Sequence, residues 1–355
     1  YGLAAILIVT GARSAYSFGH GIFYAPAMEE EPGTEKSVRL DGDESVEEVG
    51  KILKKAGLIR DSRAFTIQAK CYGYEVKAGT DVNVSIYLGE ITQMNAGVLI
   101  TGPLSRGQYA YGDHALEKEL PADDTRNTNW FYFLNTVDVL TKAENHAFIC
   151  YGDSITAQSW PDDLAIRLWN EGIRNVAIIR RAVSGTRILR QYDCITYAAY
   201  GLKGATRFPI EMEAAGADAV LIQHGINDII HPVGVEINQF RPWSDMPTSA
   251  DLIAGVEDIY IRYAKEKGYK VYGGTLLPIY GWRTYALFRE EIKNEFNHWI
   301  RTTDKFDGYV DFEEAVRDEN HPEAFAEGND SGDHLHPSEK AYEIMAGAIP
   351  AEWFF

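Results

Sequence analysis

Residues 146–156 read HAFICYGDSIT, an apolar run that leads into a short turn around Ser154. The run is typical of a buried strand, and a helix-like segment follows it at Asp162–Asn170. This order places the Ser154 hydroxyl on a turn at the end of a sheet. A hydroxyl becomes an effective nucleophile when a neighbouring base takes its proton. The turn is therefore a candidate site of nucleophilic chemistry.

A candidate base lies near the other end of the sequence, in Asp333-His334-Leu335-His336. There the carboxylate of Asp333 stands three residues before the imidazole of His336. An imidazole that accepts a serine proton needs a partner to hold its tautomer, and a carboxylate supplies one. Ser154, His336 and Asp333 together predict an acyl-transfer enzyme.

Strand-like and helix-like segments alternate from about residue 145 to the end of the sequence. Apolar strands that alternate with amphipathic helices indicate a parallel sheet covered on both faces. In such folds sites form at the carboxyl ends of the strands, where Ser154 and Asn227 are expected. The predicted strands are His146–Tyr151, Val176–Val183, Ala219–Gln223, Val271–Leu277 and Tyr309–Phe312; the predicted helices are Asp162–Asn170, Pro209–Ala215, Ala250–Glu266, Tyr285–Thr302 and Glu339–Ala348.

Four short blocks occur in this region in a fixed order: GDSIT at 152–156, AVSG at 182–185, GIND at 225–228 and DHLH at 333–336. With these blocks, residues 145–355 resemble the SGNH, or GDSL-type, serine hydrolases. The resemblance implies a three-layer α/β/α flavodoxin-like domain with a parallel sheet. The Gly-x-Ser-x-Gly elbow of the α/β-hydrolases is absent from the sequence, which argues against that fold.

The resemblance also implies a role for each block. Ser154 corresponds to the family's nucleophile, His336 to its base, and Asp333 to the residue that orients the base. No cofactor is implied.

The same resemblance implies an oxyanion hole, formed by the backbone N–H groups of Ser154 and Gly185 and by the side chain of Asn227. The tetrahedral intermediate of acyl transfer carries a negative charge, and each preorganised donor can contribute about 3 kcal/mol to its stabilisation. Asp153 and Asp228 adjoin these residues and are predicted to support them by hydrogen-bonding the loops.

Two positions depart from the family pattern. Thr186 stands where many relatives carry Asn, and His334 stands where they often carry Gly. His334 beside Asp333 raises the alternative of a metal site. The sequence has no HExxH motif or third ligand at a recognisable spacing, so no metal is predicted. His224 is predicted to be a packed residue at a strand end.

The first 144 residues divide into three parts. Residues 1–28 begin with the apolar run Tyr1–Thr10, which predicts the tail of a truncated membrane anchor, since a full crossing needs roughly 20 residues; a buried segment is the alternative. Residues 29–80 predict an acidic linker and a small LysM-like α/β unit. Residues 81–144 predict a β-rich accessory segment, because apolar side chains alternate over 82–88 and a β-branched and aromatic run covers Trp130–Leu140.

The middle part carries a second resemblance. Ser45-x-x-Glu48 is a capping box that opens a helix, and Gly57 ends it. With KAGLI at 55–59 and KAGT at 77–80, residues 14–80 resemble the membrane-proximal, LysM-like part of the endolytic murein transglycosylases. The catalytic region of that family does not follow. A chimeric join near Thr80 is therefore an alternative, and it predicts a protease-resistant fragment that starts near residue 140.

The charge balance excludes some partners. The formal net charge is −18 at pH 7, and no Lys/Arg stripe offsets it, so neither a nucleic acid nor an anionic membrane surface is an expected partner. Nine acids lie within residues 29–48, which predicts a solvated linker. A hydrophobic fraction of 45% allows a sizeable core.

The leading functional prediction is a serine esterase that removes a short acyl group, acetyl above all, from a small molecule or glycan, with a carbohydrate favoured. Trp160, Tyr280 and Trp282 could line a sugar-binding rim or could simply pack. The alternatives are a lipase or thioesterase of the same fold and a non-catalytic, membrane-anchored cell-wall-binding module. An anchor would place the protein at the cell envelope; without one it is expected in the cytoplasm. No oligomeric state is predicted.

Overall fold

The computed structural model describes residue 38 and residues 45–72, 82–86, 97–115, 117, 119–132, 134–139 and 141–355. The predicted apolar start at 1–28, most of the acidic linker and the KAGT block at 77–80 lie outside these residues. The chain divides into two compact units. The described residues up to Val82, with those of 138–144, belong to the first unit; residues 83–137 and 145–355 belong to the second.

The first unit contains helices α1 (Val46–Lys55) and α2 (Ser62–Tyr72). The capping box at the start of α1 forms as predicted: Ser45 Oγ accepts from the Glu48 N–H at 3.3 Å, and the Glu48 side chain accepts from the Ser45 N–H at 2.8 Å. Gly57, at φ +69°, follows the helix end. Within the described ranges, no helix is both long enough and apolar enough to cross a membrane.

A five-stranded parallel sheet forms the centre of the second unit, and its strands lie in the order Val176–Ala182, His146–Gly152, Ala217–Gln223, Lys270–Gly274 and Gly308–Val310. Neighbouring side chains on a strand point to opposite faces, and both Cys150 and Tyr151 are fully buried. Both faces of the sheet are therefore covered, as the sequence predicted. The strands are β1 (Val98–Leu99), β2 (Gly107–Tyr109), β3 (Arg126–Thr128), β4 (Trp130–Phe131), β5 (His146–Gly152), β6 (Val176–Ala182), β7 (Ala217–Gln223), β8 (Lys270–Gly274) and β9 (Gly308–Val310).

Helices flank this sheet. They are α3 (Trp160–Asn170), α4 (Gly204–Glu211), α5 (Ile226–Ile230), α6 (Ser249–Gly255), α7 (Arg262–Glu266), α8 (Leu287–Thr302), α9 (Phe312–Val316) and α10 (Glu339–Ala348). A π-helical segment, Val256–Ile261, joins α6 to α7, and 3₁₀ turns cover Ile195–Tyr200, Trp243–Asp245 and Ala351–Phe354. Helix α3 packs against α10, and α6 packs against α8. The α/β fold class is thus confirmed.

Some boundaries differ from the predictions for physical reasons. The strand predicted at Val271–Leu277 ends at Gly274, because the Leu276 amide turns to the Asn297 side chain at 2.8 Å. Pro209 lies inside α4 rather than at its start. No strand forms at 82–86, and Val82, Val84 and Ile86 are about half exposed. An alternating apolar pattern forms a strand only when a partner strand and a core are present for its apolar side chains to pack against.

A buried charge network holds α8 against α9. The Lys293 ammonium is fully buried and pairs with Glu313 and, at 2.9 Å, with Glu290. Glu313 also accepts from Asn297 at 2.9 Å and Arg301 at 2.7 Å. Removal of one member of such a network leaves an uncompensated buried charge, which costs about 3–5 kcal/mol.

Two short antiparallel pairs, β1 with β4 and β2 with β3, lie in the part predicted to be β-rich. Strand β4 covers only Trp130–Phe131, far less than the predicted run to Leu140. This part is attached to β6, the edge strand of the main sheet. Arg181 donates to the Asn135 carbonyl at 2.9 Å and to Thr136 Oγ1 at 2.6 Å, while Arg180 donates to Ser105 Oγ at 3.1 Å.

Consecutive residues of a strand face opposite sides of a sheet, so Arg180 and Arg181 hold segment 97–137 on both faces of the edge. Arg180 also pairs with Asp162 at 2.6 Å, and Asp162 accepts from the Leu104 N–H at 2.9 Å. These bonds attach segment 97–137 to both the edge strand β6 and helix α3.

We expect limited proteolysis to leave a resistant fragment that begins before about residue 97, because the bonds to β6 protect segment 97–137. Arg181→Ala should speed cleavage within this segment, whereas Arg262→Ala, on the exposed surface of α7, should not. N-terminal sequencing of the fragments measures this. A resistant fragment that starts near residue 140 in the unmodified chain would instead favour the chimeric origin.

Candidate active site

The Ser154 turn follows β5, which lies between β6 and β7 in the sheet. At Gly152 an added Cβ would lie 2.3 Å from Thr156 Oγ1 and 2.4 Å from the Gln223 carbonyl oxygen. Such approaches are too close for any side chain, so the turn can close only over glycine. Residues 153–159 form turns and bends, and α3 begins only at Trp160. Ser154 therefore sits on a tight, largely buried turn with its side chain partly exposed.

Three side chains from distant parts of the sequence form one hydrogen-bonded chain at this turn. Ser154 Oγ lies 2.9 Å from His336 Nε2, and His336 Nδ1 lies 2.6 Å from Asp333 Oδ2. Asp333 Oδ1 also accepts from the backbone N–H of His336 at 2.8 Å and of Leu335 at 3.0 Å. The structure thus brings together the three residues that the sequence paired.

The environment of Asp333 favours its charged form. Burial alone would raise the pKa of this carboxyl, but the backbone and ring hydrogen bonds from His336 and the charge of the imidazole outweigh burial and leave the pKa below its ordinary value. A carboxylate in this position can stabilise an imidazolium on His336.

His334 occupies a strained backbone position beside this chain. Its φ is +64°, the left-handed region that glycine adopts most easily. Its Nδ1 lies 2.6 Å from Asp330 Oδ2. Among the described residues, no three His, Cys, Asp or Glu side chains are grouped so that they could hold a metal ion.

The segments that follow β6 and β7 carry the other predicted site residues: Gly185 lies in a loop, and Asn227 lies in helix α5. Gly152 on β5 is in register with Ala182 on β6 and with Gln223 on β7, so both segments leave the same end of the sheet as the Ser154 turn.

Hydrogen bonds join these two segments. Asn227 Nδ2 donates to the Thr186 carbonyl oxygen at 3.0 Å, and His224 Nε2 lies 3.2 Å from the same oxygen. Burial lowers the pKa of His224 to about 3, with help from the nearby Arg207 charge, so its ring is neutral and packed, as predicted. The backbone beside Gly185 is therefore fixed by the element that carries Asn227.

Asp228 fixes the same loop from a second point. Its two carboxylate oxygens accept from the backbone N–H groups of Ile188 at 2.7 Å and Leu189 at 3.0 Å. Burial raises the pKa of Asp228 to about 6, against these hydrogen bonds. Asp228 thus supports the loop that contains Gly185.

Asp153 is fully buried directly before Ser154. Its Oδ1 accepts from the Ile155 N–H at 3.1 Å, which closes the turn, while its Oδ2 has no hydrogen-bond partner among the residues that the structure describes. Burial, together with the charge of Asp228, raises the pKa of Asp153 to about 7. Asp153 thus closes the Ser154 turn through one hydrogen bond, and its carboxyl is desolvated.

One group of residues near the site escaped the sequence analysis. Tyr200 packs against Gly185, where an added Cβ would lie 2.5 Å from the Tyr200 ring. Tyr192, Tyr197 and His231 contact the same ring. The only sequence signal is the density of tyrosines over 192–200, and nothing in their spacing shows that this stretch folds onto Gly185.

The three aromatic residues that could line a rim or pack have different environments. Trp160 is fully buried and packs on Phe312 with ring centroids 5.5 Å apart, so it belongs to the core. Tyr280 is 52% exposed and contacts Tyr285 edge-on. Trp282 is half-buried beneath the Arg283 guanidinium, 4.5 Å from the ring centroid.

A comparison with curated proteins finds no match. Similar solved structures include the lipase/acylhydrolase from Enterococcus faecalis, at 19% identity and TM-score 0.43 over 59% of this chain and 95% of that chain. An aryl esterase of M. smegmatis gives 16% identity and TM-score 0.41 over 57% and 95%. An acetyl-xylooligosaccharide esterase from Geobacillus gives 16% and 0.43 over 57% and 91%.

A family model matches more than half of the chain. The model of the GDSL-like lipase/acylhydrolase family covers residues 150–344, which include all four blocks. The fold and this match define the class of protein: it is a carboxylic ester hydrolase with an α/β fold. The chain belongs to the GDSL-like lipase/acylhydrolase family. The match does not extend to residues 14–80, where the transglycosylase resemblance stays a prediction.

We expect the buried carboxyl of Asp153 to make the protein less stable as pH rises. A carboxyl whose pKa is higher in the folded chain, about 7, than in the unfolded chain, about 3.9, binds more protons when folded, so its contribution is present below pH 4 and is lost between about pH 4 and 7. Asp153→Asn keeps the acceptor for Ile155 but does not titrate. Urea unfolding at pH 5 and pH 8 should therefore show a smaller loss for Asp153→Asn than for the unmodified chain.

The matched control is Asp304→Asn, at an exposed position, which should preserve the original pH dependence. Equal losses of unfolding free energy in the Asp153→Asn variant and the unmodified chain would contradict the role of Asp153.

Proposed function

We propose that the protein is a serine esterase that hydrolyses short-acyl esters, acetyl esters above all, through an acyl-enzyme on Ser154. The observation that carries this proposal is the bonded chain from Ser154 Oγ through His336 to Asp333, with distances of 2.9 and 2.6 Å. It lies at the carboxyl end of a parallel sheet, where sites of this fold class form.

The reaction follows from these contacts. His336 Nε2 accepts the Ser154 proton while Oγ bonds to the ester carbonyl carbon, and the resulting oxyanion is stabilised by the N–H groups of Ser154 and Gly185 and by the Asn227 amide. When the C–O bond to the alcohol breaks, His336 gives its proton to the departing oxygen. Water then adds to the acyl-enzyme by the same route, which releases the acid and restores Ser154.

Asn227 has two amide hydrogens, and the bond to the Thr186 carbonyl uses one of them. The second hydrogen is available for the oxyanion. Because the first bond fixes the amide plane, the donor is preorganised before substrate binds, which is the condition under which such donors are most effective.

The alcohol is proposed to be a carbohydrate. This rests on the SGNH resemblance, in which a β-rich segment before the catalytic domain often accompanies action on glycans, and segment 97–137 occupies that position. A lipase or thioesterase with the same catalytic residues is the nearest alternative.

Ser154→Ala should reduce hydrolysis of p-nitrophenyl acetate to the background rate, a loss of more than about 10³-fold, because the nucleophile is removed. Asn227→Ala should lower kcat about 10²- to 10³-fold with little change in KM, because its bond to the oxyanion forms only in the transition state. Ser249→Ala, at the start of α6, is the control. Equal activity of Ser154→Ala and the unmodified chain would exclude Ser154 as nucleophile.

For the first unit we propose binding to cell-wall glycan, in line with the transglycosylase resemblance of residues 14–80. The two short helices α1 and α2, with Gly57 after the first, support this proposal. The full chain should sediment with insoluble peptidoglycan, and Ser154→Ala should sediment equally, because binding does not need the nucleophile. Retention of an active full chain in the supernatant would contradict it.

A further inference from the structure

The chemistry of the proposed reaction fixes where the acyl group points. The departing alcohol oxygen takes its proton from His336 Nε2, so the alcohol lies on the His336 side of the carbonyl carbon. The oxyanion faces the donors of Gly185 and Asn227. The acyl chain takes the remaining position on the tetrahedral carbon, away from His336 and next to the oxyanion, so it runs beside the residues that border the two donors.

The ring of Tyr200 packs there. Gly185 has φ +77°, and the atoms nearest to an added Cβ are Cδ1, Cε1 and Cγ of Tyr200, all within 2.6 Å. The ring therefore lies directly against the Gly185 α-carbon. A hydrogen bond also joins the Gly185 loop to the segment that carries Tyr200: Thr186 Oγ1 donates to the Leu202 carbonyl oxygen at 3.1 Å. Tyr200 thus stands beside the proposed oxyanion donor and cannot swing far from it.

Helix α5, which carries Asn227, and the residue that follows it support the other side of this ring. His231 stacks on Tyr200 with centroids 5.7 Å apart and an interplanar angle of 21°. The His231 N–H donates to the Asn227 carbonyl oxygen at 3.2 Å, and the His231 ring is hydrogen-bonded to the Tyr192 hydroxyl. Tyr200 is therefore held between the elements that carry both proposed donors.

Tyr197 completes the support. Its ring stacks on Tyr200 at 5.4 Å, its hydroxyl accepts from Asn238 Nδ2 at 2.6 Å, and the Arg241 guanidinium lies 4.8 Å from its ring centroid. Burial, followed by the charges of Arg241 and neighbouring arginines, holds the pKa of His231 well below its usual value. The imidazole that stacks on Tyr200 is therefore uncharged. Tyr200 itself is only half-buried and can contact a ligand.

We propose that Tyr200, supported by Tyr197 and His231, is the specificity-determining residue that limits the length of the acyl chain. The aromatic ring beside Gly185 offers an uncharged surface for a methyl group and blocks the path of a long chain. This inference rests on the proposed esterase function and extends it, because it assigns the short-acyl preference to one residue.

The test is the acyl-length profile of kcat/KM for p-nitrophenyl acetate, butyrate and octanoate. The unmodified chain should prefer acetate over octanoate by at least about tenfold, the range in which a pocket discriminates by size. Tyr200→Ala should raise the octanoate-to-acetate ratio by about tenfold or more, even if it lowers the absolute rates by loosening Gly185. Tyr200→Phe keeps the ring and should keep the ratio within about twofold. Tyr309→Ala, on the exposed side of β9, is the matched control.

If Tyr200→Ala lowers kcat/KM for all three substrates by the same factor, the proposal is overturned and Tyr200 is a packing residue only. Equal hydrolysis of octanoate and acetate by the unmodified chain would also overturn it. If Tyr200→Ala does not fold, inactivation of the unmodified chain by methanesulfonyl and octanesulfonyl fluoride decides: a much faster reaction with the short reagent supports the proposal, and equal rates overturn it.

These results distinguish a failure of the proposed esterase function from a failure of the acyl-length inference. Ester hydrolysis that is absent, or that survives Ser154→Ala, would refute the proposed function and this inference with it. Hydrolysis that depends on Ser154 but shows an unchanged acyl-length ratio in Tyr200→Ala would refute the inference alone.

Discussion

The register of three parallel strands is the constraint on which the site depends. Gly152 stands opposite Ala182 on one neighbour and Gln223 on the other, so the Ser154 turn, the Gly185 loop and the start of the Asn227 helix leave the sheet at one level. A slip of one residue would turn every side chain of a strand to the other face and separate these loops. Gly152 enforces the alignment, because any side chain there would collide with Thr156 and Gln223.

The site is held by buried polar groups whose desolvation opposes folding. Asp228 secures two backbone amides of the Gly185 loop, and Asp153 closes the Ser154 turn, yet burial raises the pKa of both carboxyls. His336 is positioned differently, by a loop whose shape depends on hydrogen bonds to Asp333 and Asp330. A stable sheet thus supports a locally costly arrangement of polar groups, as is common at functional sites.

The sequence predicted those parts of the molecule whose signal is local. Strand β5 and helix α10 were placed almost to the residue, because a continuous apolar run and a regular amphipathic pattern each identify their element. The chain of Ser154, His336 and Asp333 followed from motif order. The alternating residues at 82–86 failed, because a half-buried strand needs a partner that no local pattern supplies. The roles of Tyr200 and of the arginines of the edge strand could not be predicted for the same reason, because they arise only from contacts between distant segments.

The central claim is that Ser154 is the nucleophile that carries the acyl group. The most direct measurement is mass spectrometry of the purified chain after reaction with a fluorophosphonate, a reagent that forms a stable bond to an activated serine. The account predicts one adduct per chain, located on Ser154 by peptide mapping, and no adduct in His336→Ala, because the hydroxyl is then no longer activated. Labelling of a different residue, or of Ser154 at an equal rate without His336, would contradict the account.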